Sequence, residues 1–191
     1  MTIVCIACGP SRVQSDVEAC RGRATVITVN DAVFVAPWAD WLYAADAKWW
    51  RWWNGVPTFK GKKGTVDPLV SGLYPEIRVF KNTGREGLED DPDGLRTGGH
   101  SGYQAINLAV HLGARKIVLL GYDMQPGVNG EHHAEAEHPH GGHPGYLHLL
   151  PRYQTLVQPL ADRGIEVINA SRATAVTVFK CQSIEEALGG E

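Results

Sequence analysis

The chain lacks any apolar run long enough to cross a membrane. A spanning helix needs about 20 consecutive, mostly apolar residues, and the apolar runs of this 191-residue sequence are much shorter. The amino terminus also lacks the pattern of a secretory signal peptide. We therefore expect a cytoplasmic protein with no membrane partner, and its length fits one domain with a substantial core.

An excess of either charge is also missing. The 18 lysines and arginines are matched by 21 aspartates and glutamates, which leaves a net charge of -3. Nucleic-acid-binding domains usually carry a basic face, so we expect no nucleic-acid partner. The apolar fraction of 43% is typical of a globular protein.

Cysteine is scarce, with four residues in the chain, and one CxxC pair is formed by Cys5 and Cys8. This pair lies inside a strand-like run, and no second pair follows that would complete a zinc site. We expect buried, unreactive thiols at Cys5, Cys8, Cys20 and Cys181.

What the chain does have is an alternation of strand-like apolar runs with helix-like stretches. This alternation predicts a single-domain, Rossmann-like α/β fold with a doubly wound, mostly parallel sheet over residues 1–191. Long functional loops are expected at 81–100 and 124–146. The predicted strands are 2–7, 24–29, 41–45, 77–80, 116–121 and 165–168, and the predicted helices are 13–20, 47–53, 102–112 and 147–163.

Several predicted strands end in small or polar residues. In a doubly wound sheet the carboxyl ends of the strands line one crevice, where ligands bind. We therefore predict a nucleotide-type site there, although turn chemistry alone also favours such residues. The candidates are Gly9, Pro10, Ser11, Asn30, Asp46, Asp123, Asn169 and Ser171.

Two turns before helices are candidate phosphate sites. Gly9-Pro10-Ser11 opens the first helix, and Ser101-Gly102 opens the most regular one, so backbone N–H groups would point outward at both places. The first is neither a dinucleotide fingerprint nor a P-loop. An ordinary turn and a helix capped by Ser101 explain the two motifs equally well.

Four of the five residues from Trp49 to Trp53 are tryptophans. At helical spacing, Trp49, Trp52 and Trp53 share one face, and we expect most of them to pack in the core. An exposed indole here would instead suit stacking on a base or sugar ring.

Six of the eight histidines lie between Glu131 and His148, directly after a strand-like run. A metal site and a single catalytic histidine in a polar lid are the two interpretations. The spacing of His138, His140 and His143 is irregular and no HExxH motif is present. We therefore predict no functional metal site.

Four segments resemble the bacterial sialyltransferases of glycosyltransferase family 42 and the related 6-hydroxymethylpterin pyrophosphokinase-like proteins, a group with phage members. These segments are Cys8-Gly9-Pro10-Ser11, Asn30, the stretch from Ser101-Gly102 through Leu112-Gly113 to Gly121 and Asp123, and Gly142-His143 with Asn169-Ala170-Ser171. The family's tyrosines after GxD are replaced here by Met124-Gln125-Pro126.

The resemblance implies that His143 is a general base and that a nucleotide-activated donor, such as a nucleotide sugar, is bound by Gly9, Ser11, Asn30, Ser101 and Asn169. We predict group transfer, with glycosyl transfer favoured, catalysed by His143 and Asp123 without a tightly bound cofactor.

Three alternatives stay open. The first is a magnesium- and ATP-dependent pyrophosphokinase-like enzyme with Asp31, Asp46 and Asp123 as ligands. The second is a non-catalytic, phage-type nucleotide-binding protein in the host cytoplasm. The third is a metal-dependent hydrolase.

Overall fold

The computed structural model describes residues 1–133 and 145–189. Within these residues, ten strands and five α-helices follow one another. The strands are β1 (Thr2–Ile6), β2 (Thr25–Val29), β3 (Trp41–Tyr43), β4 (Lys62–Thr65), β5 (Arg78–Val79), β6 (Lys81–Asn82), β7 (Gly94–Leu95), β8 (Lys116–Leu120), β9 (Glu166–Asn169) and β10 (Lys180–Cys181). The helices are α1 (Gln14–Ala19), α2 (Ala47–Trp52), α3 (Ser101–His111), α4 (Tyr146–Asp162) and α5 (Ile184–Ala187), with 3-10 turns at Asn30–Phe34 and Pro68–Val70.

Eight strands form one parallel sheet in the order β10-β9-β8-β1-β2-β3-β4-β5. The chain builds outward from β1 through β2 to β5, and then returns to the other side of β1 with β8. The order therefore reverses between β1 and β8, which is the switch point of a doubly wound fold. The predicted α/β class and parallel sheet are confirmed. The strands β6 and β7 pair separately.

The sheet lies between two layers of helices, because its central strands are buried on both faces. Along β1, Val4 and Ile6 pack on the face covered by α1, α2 and α5. Ile3 and Cys5 point to the opposite face, which α3 and α4 cover. This explains why β1 is a continuous apolar run and does not alternate with polar residues.

The strands and helices that were predicted are present with ends shifted by a few residues, the two-residue β5 among them, whereas β4, β6, β7, β10 and α5 were not predicted. The expected polar loop over 81–100 contains β6 and β7. The strands β6, β7 and β10 and the helix α5 have too few residues to show a period. The helix α4 begins at Tyr146, so Pro151 lies in its second turn.

The tryptophan cluster packs differently from its predicted face. Trp49 and Trp50 are both buried, whereas Trp52 is 56% exposed. The indole N–H groups of Trp49 and Trp53 donate to Asp31 Oδ1 at 2.9 and 2.8 Å. The prediction that most of this cluster packs in the core is confirmed, but its grouping of Trp52 with Trp49 was wrong.

Three of the four cysteines are buried, as expected, and Cys181 is exposed. Burial raises the pKa of the Cys5 and Cys20 thiols to about 12, so both stay protonated and unreactive near neutral pH. In the part of the chain that the structure describes, no helix is long and apolar enough to cross a membrane.

Candidate functional site

A cleft of about 140 Å³ opens at the carboxyl ends of β1 and β8, at the switch point of the sheet. This is the position where open parallel sheets bind ligands. Of the predicted site residues, Gly9, Pro10, Asn30, Ser101, Gly102 and Asp123 line it. The other described lining residues are Ala7, Cys8, Val29, His100, Gly121, Tyr122, Met124, Gln125, His132, His133, Tyr146, Leu149 and Tyr153.

The backbones leaving β1 and β8 touch at the base of the cleft. The N–H of Gly9 donates to the carbonyl of Gly121 at 2.8 Å. A Cβ on Gly9 would lie 2.4 Å from that carbonyl and 2.3 Å from Asp123 Oδ1. A side chain at Gly121, which has φ +71°, would not fit either, because a Cβ added there would lie 2.5 Å from the carbonyl oxygen of Ala7. Both glycines are therefore required by close approach.

The carboxylate of Asp123 occupies the phosphate site that was predicted at Ser11. Asp123 Oδ2 accepts from the Ser11 N–H at 2.7 Å, and Oδ1 accepts from its hydroxyl at 2.8 Å. Ser11 also precedes α1, which begins at Gln14, so it is not at the helix start. A phosphate at Ser11 would have to displace Asp123.

Burial chiefly raises the pKa of Asp123, while the hydrogen bonds from Ser11 and the charge of Arg12 act in the opposite direction. Each carboxylate oxygen accepts one hydrogen bond from Ser11, and a carboxylate oxygen has two lone-pair sites. Asp123 therefore keeps capacity to accept a hydrogen bond from a ligand hydroxyl at the cleft.

Two lining residues have backbone conformations that L-residues seldom adopt. Asn30 has φ +52° and Met124 has φ +50°. Asparagine tolerates the left-handed region, but a methionine there is strained. Such strain concentrates at functional sites, which supports the assignment of function to this cleft.

The amino terminus of α3 forms another wall of the cleft. His100, not Ser101, is the N-cap, and its Nδ1 accepts from the N–H of Tyr103 at 3.4 Å. The Ser101 hydroxyl instead accepts from the N–H of Ala45 at 3.0 Å, which ties α3 to the end of β3. The prediction that Ser101 caps this helix was wrong, because the imidazole supplies the cap acceptor.

Tyrosine side chains were not predicted as site residues, yet three of them line the cleft. Tyr122 lies in the GxD motif and donates from its hydroxyl to the carbonyl of Gly102 at 3.0 Å. Tyr146 and Tyr153 come from α4, and His132 contacts Tyr146 through a 3.1 Å hydrogen bond. The signal that could have found Tyr146 and Tyr153 is their seven-residue spacing, which places both on one helix face.

Asn169 and Ser171 were predicted at the crevice but hold the loop that carries Asp123. Asn169 is fully buried and donates to Thr174 and to the carbonyl of Val176. The Ser171 hydroxyl accepts from the N–H of Tyr122 at 2.7 Å. Their polar groups therefore serve the backbone around Tyr122 and are not at the cleft surface.

The three aspartates considered as magnesium ligands lie apart. Asp123 is at the cleft, Asp31 receives two indole N–H groups, and Asp46 is exposed just before α2. Within residues 1–133 and 145–189, no group of three His, Cys, Asp or Glu side chains is positioned to hold a metal ion.

The histidine-rich segment begins and ends at the cleft. His132 and His133 line it on one side of this segment and Tyr146 lines it on the other. His143, the predicted general base, lies outside the described residues together with His138 and His140.

The free energy of unfolding should fall at low pH, because protonation of His100 destabilises the folded state. Burial chiefly, with the charge of Arg152, lowers the pKa of His100 from 6.5 to about 4. The unfolded chain therefore binds the proton more tightly, and the stabilising contribution, complete above pH 6.5, is lost as the pH falls towards about 4.

The matched variant is His100→Asn, which keeps a cap acceptor and removes the titrating ring. Between pH 7 and about pH 4, we expect the wild type to lose about 2 kcal/mol more unfolding free energy than this variant, allowing for solvent screening because the residue as a whole is partly exposed. Urea denaturation at both pH values measures the difference, and equal losses would contradict it.

Comparisons with known proteins identify no family. No family model matches the chain, and no curated protein matches it. Among solved structures, the chain is similar to a thiamin pyrophosphokinase from Geobacillus thermodenitrificans, with 17% identity and a TM-score of 0.44 over 87% of this chain. The chain spans 59% of that protein's length.

At this identity and TM-score, the likeness does not assign the chain a reaction. The resemblance to glycosyltransferase family 42 and the phage relation find no support in these comparisons.

Proposed function

We propose that the protein binds a nucleotide in the cleft between β1 and β8 and transfers a group from it. The observation that carries this proposal is the position of the cleft at the switch point of a parallel sheet, the usual ligand site of such folds. The strained backbone at Met124 and aromatic walls suited to a flat ring support the same conclusion.

The charges of the cleft favour one orientation of the nucleotide. The described lining residues include Asp123 but neither lysine nor arginine, so the uncharged nucleoside occupies the cleft. Arg12 lies close enough to Asp123 to lower its pKa, and it supplies a positive charge beside the cleft for the phosphates.

Two kinds of transfer fit this arrangement. In glycosyl transfer, His143 would remove a proton from the acceptor hydroxyl, since a neutral imidazole suits general-base catalysis near neutral pH. In pyrophosphoryl transfer, ATP and a magnesium ion would be needed, and Asp123 is the one of the three predicted ligands that lies at the cleft.

A thermal-shift panel of nucleotides, nucleotide sugars and ATP, each with and without magnesium, tests the proposal. Ligand at a hundredfold excess over Kd should stabilise the folded protein by about 2.7 kcal/mol. A response to nucleotide sugars without magnesium indicates glycosyl transfer, and a strictly magnesium-dependent response to ATP indicates pyrophosphoryl transfer. If no nucleotide raises the melting temperature, the proposal is wrong.

Product analysis of the responding mixtures separates catalysis from binding. Appearance of the transferred group on an acceptor supports the transferase, whereas stabilisation without any product over a long incubation would show a non-catalytic nucleotide-binding protein.

A further inference from the structure

Two polar atoms at the cleft are buried without a hydrogen-bond partner. His100 Nε2 and Tyr153 Oη belong to lining residues, and neither has a partner within the described part of the chain. Their rings lie side by side, with centroids 5.4 Å apart. Unpaired buried polar atoms are uncommon in native proteins and need a reason, and two neighbouring ones at one cleft indicate that a ligand pairs with them.

Both atoms are hydrogen-bond donors near neutral pH. His100 Nδ1 accepts from the N–H of Tyr103, so the neutral imidazole carries its proton on Nε2. Burial and the charge of Arg152 lower the pKa of His100 to about 4, which keeps the ring neutral. Burial also raises the pKa of Tyr153 well above 10.0, so its hydroxyl keeps its proton.

The volume of the cleft limits what these donors can meet. At about 140 Å³ it is close to a cavity of about 150 Å³, which accommodates a benzene ring. One six-membered ring therefore fills this volume, and the second ring of a purine would extend beyond it towards the open side of the cleft. Tyr122 and Tyr146 add aromatic surface around this volume.

We propose that His100 and Tyr153 determine specificity by donating hydrogen bonds to the acceptors of a single uncharged six-membered ring, as a pyrimidine base presents. This inference rests on the proposed nucleotide binding and adds which kind of base is selected. Sites that hydrogen-bond a buried ligand group discriminate strongly against analogues that lack it, because the protein groups are then left unpaired.

Three variants test the donor pair. Tyr153→Phe removes only the hydroxyl, and His100→Asn removes the Nε2 donor while keeping a good N-cap acceptor. The matched control is Tyr103→Phe, because Tyr103 Oη is paired with the carbonyl of Gly87 and with Thr155. Isothermal titration with the 5′-monophosphates of uridine, cytidine, adenosine and guanosine gives the affinities, and thermal melts give the stabilities.

We expect the wild type to bind a pyrimidine nucleotide more tightly than either purine nucleotide. Tyr153→Phe and His100→Asn should each weaken that binding about tenfold, and Tyr153→Phe should melt at or above the wild-type temperature. Tyr103→Phe should melt at a lower temperature than the wild type and bind the nucleotide with wild-type affinity, because it removes hydrogen bonds that lie away from the cleft.

Tighter binding of a purine nucleotide, or wild-type affinity in both Tyr153→Phe and His100→Asn, would overturn this inference and leave the proposed function intact. If none of the four nucleotides binds and the wider panel also fails, both proposals fall.

Discussion

Replacing Gly9 with alanine is expected to lower the free energy of unfolding by about 3 kcal/mol and to abolish ligand binding at the cleft. The new Cβ would lie 2.3 Å from Asp123 Oδ1 and 2.4 Å from the carbonyl oxygen of Gly121. Neither neighbour can yield easily, because Gly121 is part of the contact between β1 and β8 and Asp123 is held by Ser11.

The matched control is Gly72→Ala, since a Cβ at Gly72 meets nothing within 4 Å and should leave stability almost unchanged. Urea denaturation measures the loss, and titration with the best nucleotide from the panel measures binding. If Gly9→Ala keeps wild-type stability and affinity, β1 and β8 can separate at no cost and the packing argument is wrong.

Replacing His143 with alanine is expected to reduce turnover by about 10²–10⁴-fold, the usual contribution of a general base. Nucleotide affinity should remain close to that of the wild type, because the base acts on the acceptor and not on the nucleotide. Steady-state rates with the responding donor, together with Kd from titration, separate the two effects.

His148→Ala is the control, because His148 lies exposed on α4 and should turn over at the wild-type rate. Full turnover in His143→Ala would exclude this residue as the base. Equal losses in both variants would indicate a general effect of histidine removal in this region.

Most of the predicted strands have residues that are buried on both faces of the sheet, whereas β5 was predicted although Arg78 is exposed. β1 and β8 are apolar runs because all but the first position of each strand packs against a helix layer, so predicting them required no knowledge of the fold. β4 contains Lys62 and Lys63 and could not be found this way. The Lys63 ammonium is buried through a 2.7 Å bond to the carbonyl of Gly55, a contact made by tertiary folding.

The candidate site was predicted in part. Gly9, Asn30 and Asp123 follow strands, and parallel strand ends converge at one edge, so their proximity follows from the fold class. Asn169 follows a strand as well, but its amide is used by Thr174 and Val176. Position at a strand end therefore predicted the neighbourhood of a residue and not the direction of its side chain.

The sequence by itself determined the α/β class and the edge of the sheet where the cleft lies, because both depend on the local period of apolar residues and on the residues that end each strand. Only the tertiary structure decided that Asp123 occupies the donors of Ser11, and that His100 and Tyr153 meet at the cleft with unpaired donors. These contacts join residues far apart in the chain, and hydrogen-bond partners at such separations depend on how the helices pack across the sheet.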